Sequence, residues 1–163
     1  MIELAKQLRH GNLVTIDNPA AWAAMKDIPL MVTGVSPTTD IDEERTKTFC
    51  VHLEPIGGMT KENCLKYKMW TPFSQLVRFV KPILITEDSV KDLLGFELVE
   101  DLGDMKYYQL PNIDKGYGVL FDHDNIVFYE YKTNDGYSPI LYDEPHFQFI
   151  HHLQNLLADL TGK

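Results

Sequence analysis

Between residues 105 and 143 the chain repeats one pattern four times. MKYYQL, YGVLFDH, NIVFYEYK and YSPILYD are short runs rich in aromatic and β-branched side chains, and PNIDKG, HDN and TNDG divide them. Runs of this kind read as strands, because branched and aromatic side chains fit a pleated surface while Asn, Asp, Gly and Pro supply tight turns. Connections this short join antiparallel neighbours only. An antiparallel meander is the expected result.

A meander leaves an apolar face to cover, and the last segment has the pattern to cover it. In FQFIHHLQNLLADLTGK, Ile150, Leu153, Leu156, Leu157 and Leu160 recur at three- and four-residue steps, and Gly162 marks an exit. The spacing predicts an amphipathic C-terminal helix packed on the meander, entered at DEP with Asp143 as a cap. Upstream, TEDSVKDLLGFE predicts a short helix: Thr86 caps it, Glu87 and Asp88 suit its first turn, Val90, Leu93 and Leu94 form a stripe, and Gly95 stops it.

The N-terminal half reads differently. ELAKQLRHGN predicts a short helix or turn ending at Gly11, LVTI a strand, and NPAAWAAMKD a helical turn carrying Trp22, with Asn18 as cap and Pro19 in the first position. IPLMVTGV and KTFCVHLEP are expected to pair as a hairpin across the polar loop SPTTDIDEER, while LKYKMW and SQLVRFVKPILI add strands with Pro82 at an edge. These short strands point to a small bent antiparallel sheet or SH3-like barrel. The expected class is α+β, with a β-rich subdomain over 1–83 and an α+β subdomain over 84–163, the two together forming either separate parts or one compact unit.

Composition narrows the functional classes. At 163 residues and 44% hydrophobic, the chain can bury a core without staples. Cys50 and Cys64 form neither a CxxC pair nor part of a four-cysteine zinc site, and reduced thiols fit a cytoplasmic location. The start MIELAKQLRHGN lacks the apolar core of a secretory signal, and no apolar run approaches the ~20 residues that span a bilayer, so no membrane is expected. The net charge of −9 is uneven: residues 82–163 hold five Lys/Arg against fifteen Asp/Glu, whereas 45–81 hold seven against two. Nucleic acid would be repelled unless that basic segment gathers on one face.

The search for chemistry yields little. His151 and His152 are adjacent, so on a helix they diverge by about 100° and do not readily share a metal, and position 155 is Asn where an i+4 histidine is wanted. Asp40, Asp42, Glu43 and Glu44 lack the glycine and later glutamate of a calcium loop. DHDN at 122–125 reads as a turn around His123, and GYG at 116–118 precedes no helix that could hold a phosphate. No GxSxG, HExxH or Walker-type segment occurs, so no catalytic residue, metal or cofactor is assigned.

Two groups remain as binding candidates. Lys66, Lys68, Trp70 and Arg78, among Tyr67, Phe73 and Phe79, have the composition of a surface that meets phosphates and stacks bases. If LKYKMW is a strand, its two lysines share the solvent face, and that plainer reading is favoured. His151, His152 and Asn155 are expected chiefly to anchor the terminal helix, with partner recognition second.

LRHGNLV, PILITEDSVKDLLGFE and HHLQNLLADLTGK resemble a family of small uncharacterised proteins from Bacteroidota and their phages and mobile elements. Its members share a GN[LY]V opening, a P-I-x-L-T-E segment leading into a helix that ends in GF, and a terminal H-x-L-Q-N-L-x-x-x-L-T-G. The likeness is dense at 8–14, 82–97 and 151–163, and 15–81 resembles nothing. It implies a bacterial or phage-encoded cytoplasmic accessory protein, with no activity attached. Most shared positions read as caps, stops and a leucine stripe; His152, Gln154 and Asn155 do not. The expectation is a non-enzymatic protein that binds a host or phage protein or itself. The alternatives are a small-barrel module capturing nucleotide or nucleic acid through the basic group, and a hydrolase using His123, His151 or His152 with nearby acids.

Overall fold

The computed structural model describes residues 2–18, 25, 28–41, 47–69, 71–111, 116–123, 125–132, 136–142 and 147–162. Its residues fall into two compact units, Met1–Ile83 with Ile150–Lys163, and Leu84–Phe149. The class is α+β, with one antiparallel sheet in each unit. Among the described residues no helix is long and apolar enough to cross a membrane.

The first unit opens with α1 (Ile2–Gln7), which buries Ala5 and keeps Lys6 and Glu3 paired at 2.8 Å in solvent. Then come β1 (Leu13–Ile16), β2 (Leu30–Ile41), β3 (Lys47–Pro55), α2 (Lys61–Tyr67), β4 (Phe73–Leu76), a 3-10 turn at Val77–Phe79 and β5 (Val80–Pro82). The sheet order is β4-β3-β2-β1-β5. Alternation decides its faces: Val51 and Leu53 are wholly buried, while Cys50, His52 and Glu54 on the other face are half-buried. Val14, Ile16, Leu30, Val32 and Val77 complete the same core. Register slips between Val32 and Gly34 and between Pro37 and Ile41, and such bulges bend a strand pair. Among the described residues no ladder joins β4 to β5, so the sheet is open and not a closed SH3-like barrel.

Several local expectations are corrected. LKYKMW is not a strand: Thr60 Oγ1 accepts the Asn63 N–H at 3.1 Å, α2 follows, and Lys68 ends it in the left-handed conformation at φ 52°. The alternation of Lys66, Tyr67 and Lys68 mimics a strand, but the cap three residues before Asn63 starts a helix. SPTTDIDEER is not all loop, because β2 runs to Ile41. Trp22, Pro19, Asp42, Glu43, Glu44, Trp70 and Asp143 lie outside the described residues, as does the side chain of Asp40.

The second unit begins with α3 (Glu87–Leu94). Thr86 and Ser89 cap it reciprocally, each side chain taking the other's backbone N–H at 3.1 and 2.8 Å, and Gly95 closes it at φ 72°. Five strands follow: β6 (Glu97–Asp101), β7 (Met105–Gln109), β8 (Gly116–Asp122), β9 (Asn125–Lys132) and β10 (Gly136–Tyr142). They pair in the order β10-β9-β8-β7-β6, the expected meander with one further strand, β6, that the sequence reading omitted. Tyr108, Phe128 and Tyr129 are its largest fully buried side chains. Gly118 faces Tyr129 across the β8–β9 ladder, and the tyrosine ring fills the space that a Cβ would take.

The terminal helix α4 (Ile150–Thr161) belongs to the first unit, not to the meander. Ile150 N–H donates to Ile83 O at 2.8 Å, so the chain re-enters the first unit beside the point where it left. The physical reason lies on the helix flank, whose amides match backbone groups of the α1–β1 turn. Its stripe also differs from expectation: Ile150, His151 and Leu153 are fully buried, whereas Leu160 is 38% exposed.

Candidate functional site

The densest polar constellation is the one that fastens α4 to the start of the chain. Gly11 takes φ 90° between α1 and β1, which glycine adopts without a Cβ penalty, and its N–H donates to Val32 O at 2.8 Å. Asn12, only 3% exposed, stitches the turn by accepting the Arg9 N–H on Oδ1 at 2.7 Å. Two backbone groups are left facing α4, the Gly11 carbonyl and the Leu13 N–H.

Gln154 satisfies both. Its Nε2 donates to Gly11 O at 3.1 Å, and its Oε1 accepts the Leu13 N–H at 2.8 Å. Asn155 works one residue on: Nδ2 donates to Gln7 O at 2.9 Å, and Oδ1 accepts from Asn12 Nδ2 at 3.0 Å. Arg9 reaches Asp159 with both guanidinium nitrogens, at 2.6 and 3.3 Å. That pair holds the Asp159 carboxyl below its usual range and raises the Arg9 guanidinium.

The paired histidines share one acceptor. Gln7 Oε1 lies 3.4 Å from His151 Nε2 and 3.3 Å from His152 Nε2, with the rings edge-on at 4.2 Å between centroids. A carbonyl oxygen only accepts, so both rings present Nε2–H to it. The side chains therefore converge further than the 100° spacing alone suggests. Burial first, and the neighbouring His152 second, push the His151 pKa down to about 4. A ring so buried and so weakly basic is neutral at neutral pH and poorly matched to general-base work there.

LRHGN and HHLQN thus meet each other. His152, Gln154 and Asn155, which packing did not demand, each have a hydrogen-bond partner at the end of α1 or in the turn after it. The arrangement is an anchor.

The basic candidates are placed elsewhere in the same unit. Lys66 lies in the last turn of α2 with its ammonium 4.9 Å over the Tyr67 ring, Lys68 caps that helix, and Arg78 occupies the 3-10 turn 4.9 Å over Phe79. All three are exposed. Their own cations cover the rings nearest them, which leaves Tyr67 and Phe79 less open to a stacking base. His123 belongs to the second unit. It turns the β8–β9 hairpin at φ 51°, 2.9 Å from Asp122 Oδ1 and 3.7 Å from Asp104 Oδ2, with 67% of its side chain exposed. Among the described residues no group of three or more His, Cys, Asp or Glu could hold a metal ion.

Two networks escaped the sequence reading. His52 bridges three strands, with Nε2 2.9 Å from Ser36 Oγ and Nδ1 2.7 Å from Ser74 Oγ. In the second unit, Tyr108 Oη donates to Glu87 Oε2 at 2.6 Å, and Lys106 Nζ lies 3.0 Å from both carboxylate oxygens. The tyrosine hydroxyl, then the lysine, holds the Glu87 carboxyl below its usual range, while desolvation and that hydrogen bond push the Tyr108 phenol up. The sequence reading left Ser36 in a loop, and only the extension of β2 to Ile41 and its register with β3 bring it beside His52. Comparison with protein-family models, with curated proteins and with solved structures finds no match to this chain.

Proposed function

We propose that this is a non-enzymatic accessory protein that works by binding another protein. One observation carries the reading. Among the described residues β6 closes the edge of its sheet, with all five of its residues exposed, Leu98 (47%) and Val99 (51%) among them, and Leu102 follows at 54%. An open strand edge bearing apolar side chains is a template for another chain. The imidazoles of His151 and His152, by contrast, are engaged in holding α4, which makes them poor candidates for hydrolytic work.

The setting, a bacterial or phage cytoplasm, rests on the resemblance and on the free thiols of Cys50 and Cys64, which suit a reducing compartment. The exposed Lys66, Lys68 and Arg78 support a second reading, capture of a nucleotide or single strand. One experiment separates them. The full chain is immobilised, any retained host or phage protein is purified and re-bound by size-exclusion chromatography, and the chain is melted in parallel with nucleotides. A stoichiometric complex of purified components is expected. A chain that elutes alone with every candidate, and melts higher with a nucleotide in dilute salt, reverses the order of the two readings.

A further inference from the structure

We infer that Ser36 is an activated nucleophile that takes an acyl group from an activated ester or thioester, with His52 as its base and Ser74 positioning the ring. Acylation of one serine per chain goes beyond the protein-binding reading and does not rest on it. The three side chains come from adjacent strands, β2, β3 and β4, on the sheet face opposite the core. His52 Nε2 lies 2.9 Å from Ser36 Oγ, and Nδ1 lies 2.7 Å from Ser74 Oγ. A hydroxyl within reach of a ring nitrogen, with the other nitrogen held by a third group, is the arrangement of an activated nucleophile.

The ladder explains how the three meet. His52 pairs with Ser74 on one side and with Gly34 on the other, and a Cβ built on Gly34 would sit 3.5 Å from His52 Cδ2. The ring thus leans over a residue without a side chain toward Ser36, which lies opposite Cys50. The register slip between Val32 and Gly34 puts positions 34 and 36, rather than 33 and 35, on this face. Ser74 is exposed and can give its own proton to water while it accepts Nδ1–H; Ser36 is half-buried and donates to Nε2. In the reaction Ser36 Oγ bonds to the acyl carbon and its proton passes to Nε2. The bond to the leaving oxygen or sulfur then breaks, and that atom departs with the electron pair and takes the proton from His52. An ester on Ser36 and a neutral ring remain. Glu54, two residues from His52 on the same face, disfavours an anionic phosphoryl donor and leaves an acyl donor as the better fit. A hydroxyl orients the ring without the charge a carboxylate would add, so the gain expected is at the low end for a general base, about a hundredfold.

The test uses the full chain with p-nitrophenyl acetate, following nitrophenolate release and mapping the acetyl group by peptide mass spectrometry. Acetyl is expected on Ser36, at a rate that rises between about pH 5 and 8, as reaction through an imidazole base requires. His52→Gln keeps hydrogen-bonding groups between the two serines but supplies no base, and should slow labelling of Ser36 about a hundredfold and flatten that rise. Ser74→Ala should slow it by a smaller factor, and Ser74→Thr, which returns the hydroxyl, should restore it. Should His52→Gln melt early, the two Ser74 variants, confined to an exposed residue, decide instead. Acetyl confined to Ser74, Cys50 or lysines, or a Ser36 rate indifferent to His52→Gln or to Ser74→Ala, overturns the inference and leaves the network a cross-strand tie. Nitrophenolate released well beyond one equivalent, and abolished by Ser36→Ala, would support the inference and overturn the non-enzymatic reading.

Discussion

Asn12 and Asn155 join the two ends of the chain: Asn12 Nδ2 donates to Asn155 Oδ1 at 3.0 Å across 143 positions of sequence. Asn155 in turn donates to Gln7 O, so one amide holds both the end of α1 and the turn beyond it. A contact of such sequence separation becomes available only after a long loop has closed.

Gln154→Ala strips two backbone groups of their partners, the Gly11 carbonyl and the N–H of Leu13, a residue only 5% exposed. Leaving buried donors and acceptors unsatisfied costs about 1–3 kcal/mol. Urea unfolding should show a loss of that size with an unchanged slope. Asp159→Asn, which weakens an exposed ion pair, should move the midpoint far less. Equal effects from the two would mean that the amide is not the anchor.

The buried imidazole sets a pH window. His151 titrates at about 4 in the folded chain against an ordinary value of 6.5, so between those values the unfolded chain binds more protons. Its contribution is complete above pH 6.5, declines as pH falls, and is gone below about 4. The total is on the order of 3 kcal/mol. Denaturation midpoints of wild type and His151→Gln, followed from neutral pH down to about 4.5, should converge as the acid is added. Curves that stay parallel would deny His151 this role.

Gly118→Ala should be among the most damaging single changes in the second unit. The added methyl overlaps the Tyr129 ring and the Tyr108 carbonyl, and one of those is backbone. Overpacking of this kind costs about 1–3 kcal/mol or more. Pairing it with Tyr129→Leu should recover part of the loss, because the ring is one of the two obstacles. A double-mutant cycle in thermal melts checks this, and strict additivity would refute it.

Glu87→Ala leaves the Tyr108 hydroxyl and the Lys106 ammonium without their acceptor, on a tyrosine that is 2% exposed. A loss of about 1–2 kcal/mol is expected. Because the folded state lowers the Glu87 pKa, its contribution is present above the ordinary value of 4.5 and disappears as pH falls through the lowered one. Stability of wild type and Glu87→Gln, compared from neutral pH into the acid range, should therefore approach each other only below 4.5.

What could be read from the residues was local. Thr86 and Gly95 announce α3 because caps act within one turn, and the β7–β10 runs announce themselves by turn chemistry. β6 was hidden because no face of it is buried, so ELVED shows no alternation to detect. α2 was mistaken for a strand because Lys66, Tyr67 and Lys68, exposed, half-buried and exposed in turn, imitate that alternation. The location of α4 was illegible for another reason. Its apolar stripe fits any apolar surface, and what selects the first unit is the geometry of two side-chain amides against a turn more than a hundred residues away.

That return of α4 also orders events during synthesis. A ribosome delivers Met1–Ile83 without the helix that completes its unit, whereas all of Leu84–Phe149 has been polymerised before the last helix appears. The part translated first is therefore the part finished last, and until then its Gly11 carbonyl and Leu13 amide depend on solvent, or on a chaperone, for company.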